Sequence, residues 1–112
     1  MKRIAALILA FSLVPPAAFA ASAEKGKAAF IKHGCWECHG TQGQGSIATS
    51  GGKRLAPNPL RWEAFAGFVR STNRAMPPYS EQILSDADLA DIYAYLQSIP
   101  KPADVTDIPL LK

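Results

Sequence analysis

The sequence predicts a small all-α domain: three main helices joined by irregular loops. Three observations predict it. Three separate stretches read as helices: Ala23 to His33, where Gly26 and Phe30 share a face, then the apolar stripe around Phe65, then that from Leu89 to Ile99. No stretch of useful length alternates apolar and polar residues as a half-buried strand would. Between the first and second of these stretches lies Cys35-Trp36-Glu37-Cys38-His39, which holds both cysteines of the chain and one of its two histidines.

C-x-x-C-H is the pattern of a c-type haem attachment site. Two thiols three positions apart can each add across a vinyl group on one porphyrin edge, forming two thioethers. The histidine that follows then offers an imidazole nitrogen to the iron, and such a ligand binds both ferrous and ferric states. Other readings of the same residues compete. A redox disulfide between Cys35 and Cys38 calls for a βαβ context, and no strand-rich stretch flanks the pair. A structural zinc site needs four nitrogen or sulfur ligands, for which the chain offers only Cys35, Cys38, His39 and His33. The motif favours haem over both.

The N-terminus bears on the chemistry. Lys2 and Arg3 form a charged start, Ile4 to Val14 an apolar run, and Ala18-Phe19-Ala20 an A-x-A-like cleavage site. Residues 1–20 therefore read as a signal peptide and residues 21–112 as the mature domain, with Ala21-Ser22-Ala23 offering a second cleavage site. The competing reading is an uncleaved anchor. The apolar run is shorter than the ~18 residues expected of a membrane helix, and Pro15-Pro16 follows it. Export from the cytoplasm gives the two thiols a reason to be used covalently, since an unused pair outside it tends to oxidise.

Removing the signal takes away Lys2 and Arg3. The formal charge of +3 then falls to a balance of 10 basic and 9 acidic residues. These are unevenly spread. Residues 21–75 carry 8 basic and 3 acidic side chains, and residues 76–112 carry 2 basic and 6 acidic. No dense Lys/Arg patch with interleaved aromatics appears, so the composition gives no support for nucleic acid as a partner. A domain this small has a modest core and often needs a staple, which a haem would supply.

Each element can be justified in turn. Ala23 to His33 reads as the first helix, with Gly26 and Phe30 on one face and Gly34 where a helix end wants a left-handed residue. Gly26 disfavours a helix interior by about 1 kcal/mol against Ala, which suggests that another helix crosses closely there. Gly40 to Ala56 is a glycine-rich loop, read as a wrap around one haem edge. Asn58-Pro59 reads as the start of the second helix, Asn at the cap and Pro at the first helical position. Trp62, Phe65, Phe68 and Val69 follow as its apolar stripe. Trp62 carries an indole N–H that needs an acceptor when buried, and a haem propionate would serve.

Met76-Pro77-Pro78 centres an irregular segment. With Met1 gone, Met76 is the last methionine, held in a stiff proline loop, and axial ligation of haem iron is its expected role. Ser85 caps the third helix, with Asp88 three residues on and Leu84 and Leu89 placed as a hydrophobic staple. Leu89, Ile92, Tyr93, Leu96 and Ile99 keep helical period until Pro100 and Pro102 end it. The tail from Lys101 to Lys112 is expected to lie on the surface. No paired-carboxylate or Ser-His-Asp arrangement suggests catalysis.

These residues together resemble the class I c-type cytochromes over nearly all of the mature length. Glu24-Lys25-Gly26-Lys27 with Phe30 is similar to the family's first helix, whose glycine lets the last helix cross. Cys35-x-x-Cys38-His39 is its haem motif. Ala56-Pro57-Asn58 is similar to the Gly-Pro-Asn turn, with Ala in place of the usual glycine. Met76-Pro77-Pro78-Tyr79 looks like its methionine loop, and Leu89-x-x-Ile92-Tyr93-x-Tyr95-Leu96 its last helix, with Tyr95 or Ile92 meeting Gly26.

The resemblance implies a cytochrome c-like fold around one covalently bound haem c. Cys35 and Cys38 would form the thioethers, and His39 and Met76 the axial ligands. The Pro57 carbonyl would orient His39, and Arg61, Trp62 and Arg54 are candidates for the propionates. It implies a periplasmic one-electron carrier passing electrons from a dehydrogenase or reductase to an oxidase or other acceptor. No membrane contact is expected after signal cleavage, and the carrier would be a monomer or a dehydrogenase-associated subunit. The alternatives are a haem c subunit of a dehydrogenase complex, and a haem enzyme or sensor with an open iron site.

Overall fold

The computed structural model describes residues 20–46 and 52–111. Residues 1–19 of the expected signal segment, which runs to residue 20, lie outside them, as does part of the glycine-rich loop. Four α-helices occur in order among the described residues: α1 (Ala23–Lys32), α2 (Cys35–His39), α3 (Trp62–Ser71) and α4 (Asp86–Ser98). Two short 3-10 turns, Val105–Asp107 and Pro109–Leu111, end the described residues. No strand occurs among the described residues. This is the predicted all-α, cytochrome c-like fold.

Helix α1 starts one residue after Ser22, whose hydroxyl accepts the Lys25 amide (3.3 Å). It ends where Gly34 turns left-handed at φ +75°, a conformation glycine adopts without the steric penalty of a Cβ. That turn sends the chain directly into α2, so the haem motif occupies a short helix of its own. The motif's placement is thus a consequence of where α1 stops.

Helices α1 and α4 form the main packed pair, and Gly26 is the reason they can. A Cβ at Gly26 would overlap the Asp91 carbonyl of α4 and stand 2.9 Å from the Ile92 amide nitrogen. The close crossing inferred from Gly26 is present; the Asp91 backbone is what Gly26 meets first, with the Ile92 amide next to it and Tyr95 not among its nearest neighbours. Around it Ala29 and Phe30 of α1 and Leu89, Ile92, Tyr95 and Leu96 of α4 make the centre of the core. Phe30 is 1 % exposed and meets the Tyr95 ring at 5.7 Å between centroids. Burial of side chains of this size stabilises the fold by about 1.5–3 kcal/mol each. The Ser22 amide also donates to Asp91 Oδ1 (2.6 Å), which ties the start of α1 to the same point on α4.

The start of α4 follows the sequence reading. Ser85 is the cap, its hydroxyl accepting the Asp88 amide (3.1 Å). Leu84 and Leu89, the staple pair, are both fully buried.

Helix α3 departs from expectation. It begins at Trp62 with Arg61 as its cap, not at Asn58-Pro59. Residues 56–58 form a bend and 59–61 continue without helical bonding. The reason is anchorage at both sides. Ala56 is buried and its amide donates to the Gly43 carbonyl (3.1 Å), while the Trp62 ring meets Tyr93 edge-on at 5.4 Å. An extended residue spans about twice the length of a helical one, so the connection between these anchors is used as a spacer. Within α3, Phe65 and Val69 are buried, whereas Phe68 is 41 % exposed and lies outside the core. The C-terminal tail is exposed at almost every residue; its first part, Lys101 to Val105, runs beside Arg54, Pro57 and Asn58 and shares a groove with them.

Candidate haem-attachment site

Cys35 and Cys38 stand three positions apart on the single turn of α2 and are not joined in a disulfide. Residues at this spacing share a helix face. Cys35 is half-buried and packs on the core, while Cys38 is exposed. Burial pushes the Cys35 thiol up to about 11, because a thiolate loses hydration there. Thiols that attack disulfides carry lowered pKa values, so Cys35 has the character opposite to a redox-active one. Among the described residues, no three His, Cys, Asp or Glu side chains are grouped to hold a metal ion. His33 is turned to the first turn of α4, with Nε2 buried 3.8 Å from Asp88 Oδ2.

His39 closes the motif, and its imidazole is held from behind. Nδ1 donates to the backbone carbonyl of Lys53 (2.7 Å). A carbonyl can only accept, so the proton sits on Nδ1 and the lone pair on Nε2. This is how a metal-binding histidine is usually oriented. The expected partner is Pro57, four residues later, and this is a correction. The loop explains it. Gly45 donates to His39 O (2.8 Å), Leu55 and Ala56 donate to Gly43 O (2.7 and 3.1 Å), and Ser46 donates to Gly52 O (2.9 Å). These bonds lay residues 52–56 along residues 43–46 and bring Lys53 to the imidazole. Pro57 lies past the end of that pairing, beside Ile99 to Pro102.

Met76 is half-buried against the core, as are Leu55, Trp62, Ala66, Tyr79 and Tyr93. Tyr79 connects this segment to the motif. Its hydroxyl donates to the carbonyl of His33 (3.1 Å), two residues before Cys35, and it is within electrostatic range of Cys35 and Cys38. Trp62 opens α3 and packs on Tyr93 and Phe65; Arg61 and Arg54 are exposed. The donor set therefore fits a covalent haem: two thiols on one helical turn, an imidazole with its lone pair fixed on Nε2, and apolar side chains left partly uncovered.

Sequence reasoning missed two side chains that shape this region. Arg70 of α3 reaches three partners in the segment after Met76, and Tyr79 is held at its amide, carbonyl and hydroxyl. A cation in the last turn of a helix and a tyrosine directly after two prolines were the available signals. Neither says which carbonyls lie within reach.

A family model described as "Cytochrome C oxidase, cbb3-type, subunit III" matches residues 21–96. No curated protein matches, and no solved structure matches. The matched span covers α1 through most of α4 and contains the motif, the methionine segment and the Gly26 crossing. The chain belongs to this family of cytochrome c domains and is a class I c-type cytochrome, a haem c electron-transfer protein.

Proposed function

We propose that this protein is an exported, periplasmic one-electron carrier with a single haem c bound covalently through Cys35 and Cys38, with His39 and Met76 as axial ligands. The observation that carries this reading is the His39–Lys53 bond beside the two thiols. It fixes the one tautomer that can present Nε2 to iron. When bound, the haem supplies one-electron exchange between ferrous and ferric iron.

The protein's residues set the conditions for that exchange. The Lys53 carbonyl holds the His39 ring in one orientation. A thioether from Met76 is a soft ligand that favours the ferrous state and raises the potential. With His39 and Met76 both holding the iron, little room would be left for a substrate, which favours a carrier over an enzyme. Leu55, Trp62, Tyr79 and Tyr93 lie half-buried on the core and would offer apolar surface to a bound haem. Arg61 and Trp62, with Arg54, are the candidates for the propionates. The basic side chains of the first half of the domain would face an acidic docking surface on a redox partner, an attraction that salt weakens. No helix of the described residues is long and apolar enough to cross a membrane.

The test is the absorption spectrum of the purified protein in both redox states, before and after denaturation. A c-type signature that survives denaturation, with a far-red iron–sulfur band in the oxidised form, is the expected result. Loss of haem on denaturation overturns covalent attachment, and absence of the far-red band overturns Met76. A second reading is favoured by the family description, which names a subunit of an oxidase: the same domain held permanently in a complex. Size-exclusion of the native extract separates the two, since a free carrier elutes near its monomer size.

A further inference from the structure

We propose that Arg70 and Tyr79 are positioning residues that set where Met76 stands, by fastening the methionine segment between the end of α3 and the residues that lead into the haem motif. The inference rests on the reading of Met76 as an axial ligand and goes beyond it.

Three bonds converge on Tyr79. Its amide donates to Val69 O (2.9 Å). Its carbonyl accepts from Arg70 Nη1 (3.0 Å). Its hydroxyl donates to His33 O (3.1 Å). The peptide groups on both sides of Tyr79 are thus fixed to consecutive residues of α3, and its side chain to the segment before Cys35. Arg70 does more than hold Tyr79. The same Nη1 donates to Leu84 O (2.7 Å) and Nη2 to Asp86 Oδ1 (2.6 Å). One guanidinium, with 20 % of its side chain exposed, therefore closes the segment between α3 and α4 at three points. The carbonyl bonds carry most of the weight, because Asp86 is largely exposed and solvent-facing ion pairs contribute little.

The connection from Tyr79 back to Met76 is short and stiff. Only Pro77 and Pro78 intervene, and each proline has its φ locked. With both φ angles locked, only the ψ angles are left to absorb a displacement of Tyr79, so part of it is passed to Met76. The other end of the connection is His33, two residues from Cys35. A single hydroxyl thereby links the thioether side of the site to the methionine side. Lysine cannot replace Arg70 here: it is a single point charge without the planar fork that reaches separated acceptors.

The experiment uses the purified holoprotein and the variants Arg70→Gln, Arg70→Lys and Tyr79→Phe. Ser22→Ala, which removes the α1 cap far along the chain from the methionine segment, serves as a destabilised control. The readouts are the far-red iron–sulfur band, the midpoint potential and the rate of carbon monoxide binding to the reduced form, each taken below the melting transition. Hydrogen bonds from a charged donor are stronger than neutral ones, so Arg70→Gln is expected to raise carbon monoxide access roughly tenfold or more, with a weaker band and a lower potential. Arg70→Lys is expected to behave similarly, Tyr79→Phe to a smaller degree, and Ser22→Ala to match the wild type in all three.

Variants that melt earlier but keep wild-type band, potential and carbon monoxide rate would show that the clamp is merely structural. If Arg70→Gln does not accumulate, Tyr79→Phe, which deletes one hydroxyl, decides the matter by the same readouts. A wild type without the band removes the ligation reading and this inference together. A wild type with the band and unaltered variants removes this inference alone.

Discussion

Gly26 of α1 lies directly against the backbone of Asp91 in α4, with no room between them for a methyl group. The contact is backbone to backbone, so no side-chain rotation can relieve a substitution. Gly26→Val is therefore expected to destabilise the domain by about 1–3 kcal/mol or more, the range for overpacked interiors. Gly26→Ala should act in the same direction, although alanine is the better helix former. Thermal melts of the holoprotein check both. Wild-type stability for either would mean that the helices separate at little energetic penalty.

Met76 governs the sixth position in the proposed site. Met76→Ala is expected to lower the midpoint potential and to allow carbon monoxide to bind the reduced iron, because a soft sulfur ligand is lost. Potentiometry and ligand-binding spectra check it. Unchanged values would remove Met76 from the ligand set while leaving His39 in place.

Cys35 gives a prediction with a definite pH sign. Burial holds its thiol pKa near 11, above the ordinary thiol value. Below that pH the thiol is protonated and a poor nucleophile; above it the thiolate forms. In the haem-free protein, alkylation of Cys35 should be slow at neutral pH and accelerate as pH rises toward 11, with exposed Cys38 as the internal reference. The same burial makes haem-free stability fall as pH rises from the unfolded thiol value through about 11, since only the unfolded state ionises readily there. Mass spectrometry of the labelled protein reports the rates. Equal labelling of both cysteines at neutral pH would contradict the burial. In the holoprotein this dependence should vanish, because a thioether does not titrate.

Ser22 predicts the start of the mature chain. Its hydroxyl caps α1, its carbonyl accepts the Gly26 amide (2.8 Å) and its amide donates to Asp91 Oδ1. A cut after Ala20 keeps all three bonds and a cut after Ala23 removes them. If the chain is exported and cut as proposed, its intact mass should correspond to an N-terminus at Ala21. Ser22→Ala should lower stability by about 1 kcal/mol, as for other helix caps.

Much of this protein was legible from residue order, because the signals are local. Helical period, the Ser85 cap, the left-handed Gly34 and the Cys35-to-His39 spacing each depend on residues within one or two turns. Gly26 was legible for a related reason: an unfavourable residue inside a helix implies a compensating contact. The start of α3 was misplaced because Asn58-Pro59 carries the local signal of a helix cap, and anchors at Ala56 and Trp62 override it.

The sequence by itself determined the three main helices, apart from the start of α3, and the crossing glycine. Only the tertiary structure decided which carbonyl holds His39 and which side chains hold the methionine segment. A backbone carbonyl is present at every residue, so nothing in the sequence distinguishes Lys53 from Pro57 as the partner of His39. The pairing of residues 43–46 with 52–56 makes that choice. Likewise, Arg70 has donors for several acceptors, but Tyr79, Leu84 and Asp86 become its partners only when the chain folds back over α3. Spacing along the chain determines what a helix can present; the path of the loops determines what it meets.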